Sequence, residues 1–268
     1  MMRLVFLLLL LAPILPAQYD SAGVAEHLAL GAPAPAYRDV RRPSEYLLAK
    51  RQYVLSYHRF NGTANWVAWR TDSTWLGTLG RSNDFRADST LPEPWYRVHE
   101  RSYRRSGYDR GHLCPSGDRT NSAADNSATF VMTNMIPQAP NNNQGPWAQL
   151  EIFCRELVTK GKELYIAAGG WGSKGFLDSG RVNIPALTWK AVLVLDAGEN
   201  DAARVTRNTP VIAVVMPNDN ALIRKGDDWR TFRVTADSVE ALTGFDLFSA
   251  VPDSVQRFIE SRTDAPLP

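Results

Sequence analysis

The sequence predicts an α+β domain built on a mainly antiparallel sheet flanked by helices. Three observations carry that prediction. Short runs of β-branched and aromatic residues recur through the chain, one amphipathic helical stretch interrupts them, and the regular helix–strand rhythm of a doubly wound fold is missing. The 268 residues are 44% hydrophobic and 22% charged, enough to bury a large core, which excludes a disordered chain. With 30 basic against 28 acidic side chains the formal charge is +2, so binding to nucleic acid by bulk charge is excluded and any polyanion site must be a local patch.

Residues 1–17 read as a secretory signal peptide: Arg3, an apolar run from Leu4 to Leu15, then Pro16-Ala17 at the cut. That run is shorter than the roughly 20 residues of a spanning helix, and Pro13 interrupts it, so a secreted or periplasmic protein is expected. Residues 18–45, which include Gly31-Ala32-Pro33-Ala34-Pro35-Ala36, read as a loosely attached leader. A single domain is expected over 46–262, with a short tail over 263–268.

Within the domain, Tyr53–Phe60 and Trp66–Trp69 flank Asn61-Gly62-Thr63, a combination that predicts a hairpin in preference to a glycan acceptor loop. The clearest helix opens after Asn143-Gln144-Gly145-Pro146 and closes at Gly161, with Trp147, Leu150, Cys154, Leu157 and Val158 as its apolar stripe. Strands are predicted at Leu164–Ala168, Leu187–Leu195, Val211–Met216 and Phe232–Thr235, and short helices at Ser238–Leu242 and Ser254–Ser261. Cys114 and Cys154 are the only cysteines, and one disulfide or two buried thiols fit equally well.

No zinc-binding spacing, Walker loop, Gly-x-Ser-x-Gly or dinucleotide fingerprint is present, which removes the usual signatures of those chemistries. The local basic patch lies between Trp95 and Arg110, where Arg97, Arg101, Arg104, Arg105 and Arg110 alternate with Tyr96, Tyr103 and Tyr108. Guanidinium forks match phosphate oxygens and aromatic faces stack on bases, so this mixture suits a nucleic-acid strand. Asp109-Arg110-Gly111-His112 follows. Extended, it puts Arg110 and His112 on one face, where an imidazole could take a proton from water beside a phosphate held by the arginine. Further on, Asn143, Trp147 and Glu151 are spaced by four, which on one helix aligns an amide with a carboxylate, oxygen donors of the kind magnesium prefers. Asn143 taken alone would equally serve as a helix cap.

Three motifs in register resemble the DNA/RNA non-specific endonucleases, the family of secreted Serratia-type nucleases and mitochondrial endonuclease G. They are Tyr108-Asp109-Arg110-Gly111-His112-Leu113, Thr133-Asn134-Met135-Ile136-Pro137-Gln138 and Asn143-Gln144-Gly145-Pro146-Trp147-Ala148-Gln149-Leu150-Glu151. The resemblance implies a ββα-metal (His-Me finger) core and a magnesium-dependent nuclease, with manganese as an alternative ion. It implies His112 as general base, Asn143 as the protein ligand of the metal and Glu151 as the residue that positions metal-bound water. Asn134 would hold the site or substrate in place, and Arg81 would stabilise the pentacoordinate phosphate, with Arg86 as its rival. Asp109, Arg110, Arg104 and Arg105 are expected at the substrate. The family usually carries a small residue where this chain has Cys114, and a Cys114–Cys154 disulfide would tie the two halves of the site together. DNA and RNA are the implied substrates, yielding 5′-phosphate ends, and relatives are often homodimers. A nuclease restricted to one polymer, or a silent nucleic-acid-binding protein of the same fold, are the alternatives; an intact His112, Asn143 and Glu151 set argues against the silent form.

Overall fold

A computed structural model describes residues 19–263; the expected signal peptide and residues 264–268 of the tail lie outside the described residues. In chain order the strands are β1 (Tyr46–Ala49), β2 (Val54–His58), β3 (Thr63–Thr71), β4 (Asp109–His112), β5 (Met135–Gln138), β6 (Lys162–Trp171), β7 (Phe176–Leu177), β8 (Val182–Asn183), β9 (Leu187–Asp196), β10 (Val211–Pro217) and β11 (Arg233–Val234). The helices are α1 (Ser21–His27), α2 (Ala123–Ala128), α3 (Pro140–Asn143), α4 (Pro146–Thr159), α5 (Asp201–Arg204), α6 (Ala236–Thr243) and α7 (Asp253–Glu260). Seven strands form one sheet in the order β1-β2-β3-β6-β9-β10-β11, antiparallel at every step. β4 and β5 pair apart from it, as do β7 and β8.

Side-chain alternation divides the interior in two. Trp66, Ala68, Tyr165, Trp189 and Leu193 face one core, and Val67, Trp69, Ile166, Val192 and Val194 face the other. Both faces are covered, so the long central strands read as nearly continuous apolar runs rather than alternating ones. Helix α4 closes the second core with the predicted stripe of Trp147, Leu150, Cys154, Leu157 and Val158. Helices α6 and α7 lie over the first through Val239 and Ile259. The β2–β3 hairpin turns where expected, with Gly62 left-handed at φ 62° and a register shift at Ser56/Tyr57.

Two expectations need correction. Residues 19–45 are not loosely attached. Asp20 caps α1, Gly23 packs so closely that a Cβ there would lie 2.4 Å from the Lys50 carbonyl oxygen, and Leu30 is buried. The Pro-Ala stretch is docked too, since Asp246 N donates to the Pro33 carbonyl at 2.9 Å and Ala250 N to that of Leu30 at 3.0 Å. Composition suggested a linker because small apolar residues that pack under a sheet look the same in sequence as those that do not. The helix expected to run from Asn143 is also broken: Gly145, at φ −117° and ψ −116°, separates α3 from α4.

Candidate active site

Strand β4 ends at His112, paired with Met135 of β5, while Gly111 stands opposite Ile136 and Arg110 opposite Pro137. Gly111 is required by contact: a Cβ would come within 2.1 Å of Gln138 Oε1. On the other face the His112 ring, only 6% exposed, lies edge-on to Phe130 at 4.9 Å between centroids and 5.7 Å from Phe85. Its Nε2 is sealed and makes no hydrogen bond.

The same two phenyl rings carry two arginines. The Arg110 guanidinium lies 4.1 Å from the Phe85 centroid, and that of Arg81 lies 4.8 Å from the Phe130 centroid. Predicted alternation is therefore realised, with Arg110 and His112 on one face. Arg81 is further steered by Asn83, whose Oδ1 accepts from its Nε at 2.7 Å. Its sequence rival Arg86 is committed elsewhere, to the Asp84 carboxylate at 2.7 Å and the Ser127 carbonyl at 2.9 Å. Burial, with help from the charges of Arg81 and Arg110, holds the His112 pKa down at about 3. The imidazole is thus neutral at neutral pH and able to accept a proton.

The three consecutive asparagines have different tasks. Asn141 Nδ2 donates to the Ile223 carbonyl, and Asn142 Nδ2 donates to Thr188 Oγ1 at 3.0 Å and the Pro217 carbonyl at 3.0 Å. Asn143 turns to the site, donating from Nδ2 to Asp109 Oδ2 at 2.8 Å, and Gln144 Nε2 donates to the same oxygen at 2.9 Å. Asp109 thus holds the amides of Asn143 and Gln144, a task that suits a carboxylate. With its amide group so engaged, Asn143 leaves Oδ1 as a free oxygen donor.

Glu151, on α4, is mostly buried, and its Oε1 lies 3.4 Å from Lys190 Nζ. Burial pushes its pKa up, against the opposing pull of Lys190 and Arg155. Arg104 lines an open cleft of about 400 Å³ with Arg101, Tyr108, Asp109 and Arg110, so the basic patch meets the start of β4. Arg105 is not brought in; it is exposed in a left-handed turn at φ 58°.

Known proteins resemble this chain over most of its length. Residues 36–254 match the family described as DNA/RNA non-specific endonuclease. The chain belongs to that family. A nuclease of Nostoc sp. is 50% identical over 244 residues, covering 91% of this chain and 88% of the relative. The mitochondrial nuclease of Saccharomyces cerevisiae is 31% identical over 233 residues, covering 80% of this chain and 69% of its own length. In fold, the chain superposes with a TM-score of 0.73 on a chain from a crystal structure of the EndoG/EndoGI complex, at 23% identity and over 88% of this chain and 95% of that one. The α+β architecture with its ββα-metal core, formed here by β4, β5 and α4, is that of endonuclease G. As a member of this family, the protein is a nucleic-acid-hydrolysing enzyme.

Endonucleases of this family depend on a metal, and the donor set here suits a hard divalent cation. Asn143 Oδ1 is a neutral oxygen donor fixed from behind by Asp109, and magnesium binds through few protein oxygens while keeping its water. No cage of acids surrounds it. Among the described residues the one cluster of three acidic or thiol and imidazole groups at metal-binding separation is Asp237, Glu240 and Glu260 of α6 and α7, on the other side of the sheet.

Asn134 makes three hydrogen bonds with no exposed surface. Its Oδ1 accepts from Cys114 N at 2.9 Å, and its Nδ2 donates to the carbonyls of Cys114 and Thr129 at 2.8 and 2.9 Å. It pins the loop after His112 and reaches no solvent, so it positions the site rather than touching substrate. Asn134→Ala is expected to lower unfolding free energy by about 2–4 kcal/mol, read by urea denaturation, because it strands buried backbone groups. Of the two readings of Cys114 and Cys154, the structure has the buried thiols and not the bridge: both are free in the core under α4, and burial pushes each up to about 12. They serve as small apolar side chains.

Sequence reasoning missed two cations. Arg155 follows Glu151 by one helical turn and pairs with the buried Asp118 at 3.1 Å, a spacing of four that could have flagged it. Lys190 stands inside the apolar run of β9, where an isolated lysine was itself the signal. Among the described residues no helix is long and apolar enough to cross a membrane.

Proposed function

We propose that this chain is a secreted or periplasmic endonuclease that cleaves both DNA and RNA without sequence preference, leaving 5′-phosphate ends. His112 is the general base. Its neutral ring takes a proton from the attacking water through Nδ1, since Nε2 is sealed behind Phe85 and Phe130. As the water oxygen bonds to phosphorus, the bond to the 3′ oxygen breaks in line with it. Arg81 and Arg110 face the non-bridging oxygens and neutralise the charge that builds there. Bound at Asn143 Oδ1, magnesium would supply further neutralisation and acidify water near the leaving oxygen. Glu151 would accept hydrogen bonds from water on such an ion and keep it oriented. The cleft lined by Arg101, Arg104 and Tyr108 takes the flanking strand through phosphate and ring contacts, which read no base edges. Export is supported by the apolar run over residues 4–15 behind Arg3.

The observation that carries this reading is a buried imidazole at the end of β4, against two phenyl rings that each carry a guanidinium group. Supercoiled plasmid and RNA incubated separately with the purified protein should both be degraded with magnesium and survive in EDTA. Degradation of one polymer alone would restrict the substrate, and survival of both in magnesium would leave a silent binding protein.

A further inference from the structure

Lys190 is 1% exposed at the centre of β9. Alternation along that strand sends Trp189, Ala191 and Leu193 to one core, and Lys190, Val192 and Val194 to the side covered by α4. The ammonium lies 4.1 Å from the Trp147 ring centroid and 5.6 Å from that of Trp69. Its one ion pair among the described residues is with Glu151, at 3.4 Å. A charge so deeply buried is tolerated only with a partner, and the indole faces supply attraction without competing for the carboxylate. Two residues earlier on the same face, Thr188 Oγ1 accepts from Asn142, so β9 anchors both ends of the α3–α4 segment that presents Asn143 and Glu151.

We infer that Lys190 is a positioning residue for phosphodiester hydrolysis: its ammonium, 3.4 Å away, fixes the Glu151 carboxylate in place. The inference rests on the role given to Glu151 above. The electrostatics agree: burial, with the Asp118 carboxylate, raises the Glu151 pKa, and Lys190 is the largest influence opposing it, ahead of Arg155, while Arg81 also feels the carboxylate, so Lys190 holds Glu151 toward its ionised form. Lys190 touches no substrate, so its effect should fall on turnover rather than on KM.

The test compares plasmid hydrolysis in saturating magnesium, across pH, for the native enzyme, Lys190→Gln, Glu151→Gln and the double variant. Lys190→Gln should lower kcat about tenfold or more at neutral pH and move the acid limb of kcat upward by about one pH unit, so that the loss shrinks as pH rises. In the Glu151→Gln background the same change should alter kcat by less than about twofold. Lys190→Arg, which retains the charge, should leave the acid limb in place. Equal losses in both backgrounds, or an acid limb that Lys190→Gln does not move, would overturn the inference. A Glu151→Gln enzyme as fast as the native one would remove the reading of Glu151 and the inference with it. Should Lys190→Gln not fold, infrared difference spectra of the native protein against Glu151→Gln decide the matter: an ionised Glu151 carboxylate at neutral pH supports the inference, and a protonated one overturns it.

Discussion

Replacing His112 by alanine is expected to reduce kcat on plasmid DNA by about three orders of magnitude. The imidazole is the one proton acceptor on the face of β4 that also presents Arg110, and the alanine cannot replace it. Arg81, Arg110 and Arg104 remain, so binding of a short duplex in EDTA, followed by fluorescence anisotropy, should stay within a few-fold of native. The fold should persist as well, because Asn134 holds the loop after residue 112 through backbone groups of Cys114 and Thr129. A variant that keeps more than about a tenth of native turnover would remove His112 as the base.

Acidification should destabilise the protein through two buried histidines. His27 Nε2 donates to the Arg51 carbonyl at 2.7 Å, and Arg70 N donates to His27 Nδ1 at 3.2 Å, an arrangement only the neutral ring allows. Burial and Arg119 hold its pKa at about 3, and His112 is also held at about 3. Between that value and the ordinary 6.5 the unfolded chain binds more protons than the folded one, so stability rises with pH through this window. It is fully present above 6.5 and lost as pH falls toward 3. From pH 7 to 4.5 each histidine should account for about 3 kcal/mol. Glu260 works in the opposite sense: burial beside Glu240 and Asp237 pushes it up to about 8, so it favours the folded state as pH falls. The difference between native protein and His112→Ala isolates one histidine. Their gap in unfolding free energy, by urea titration, should change by about 3 kcal/mol between the two pH values; a constant gap would show that His112 is not held neutral by the fold.

Much of the architecture was legible because local pattern and tertiary role coincide. The β2–β3 hairpin follows from Asn61-Gly62 between aromatic runs, and α4 from a stripe that faces a single core. At the site, His112, Arg110 and Asn143 were legible as motif positions, while their surroundings were not. Which of Asn141, Asn142 and Asn143 faces the cleft depends on Ile223, Thr188 and Asp109, residues remote in sequence. The break at Gly145 escaped a periodicity argument because Pro146 restarts the helix almost at once. That Asp109 holds the amides of Asn143 and Gln144 was not legible, because those partners lie more than thirty residues further on. Lys190 went unweighed since its partner lies across the core, on α4.

The docking of residues 30–33 against residues 246–250 has a kinetic consequence. These contacts join segments more than two hundred residues apart, so the edge of the first core cannot close until residues 246–250 are available. A chain still being synthesised contains His112, Asn143 and Glu151 before residues 246–250 and lacks, until then, the clasp over the sheet that supports them. Closure of the fold is thereby tied to the arrival of residues 246–250. For an enzyme that hydrolyses nucleic acid, this ordering would hold back full activity until that segment has been made.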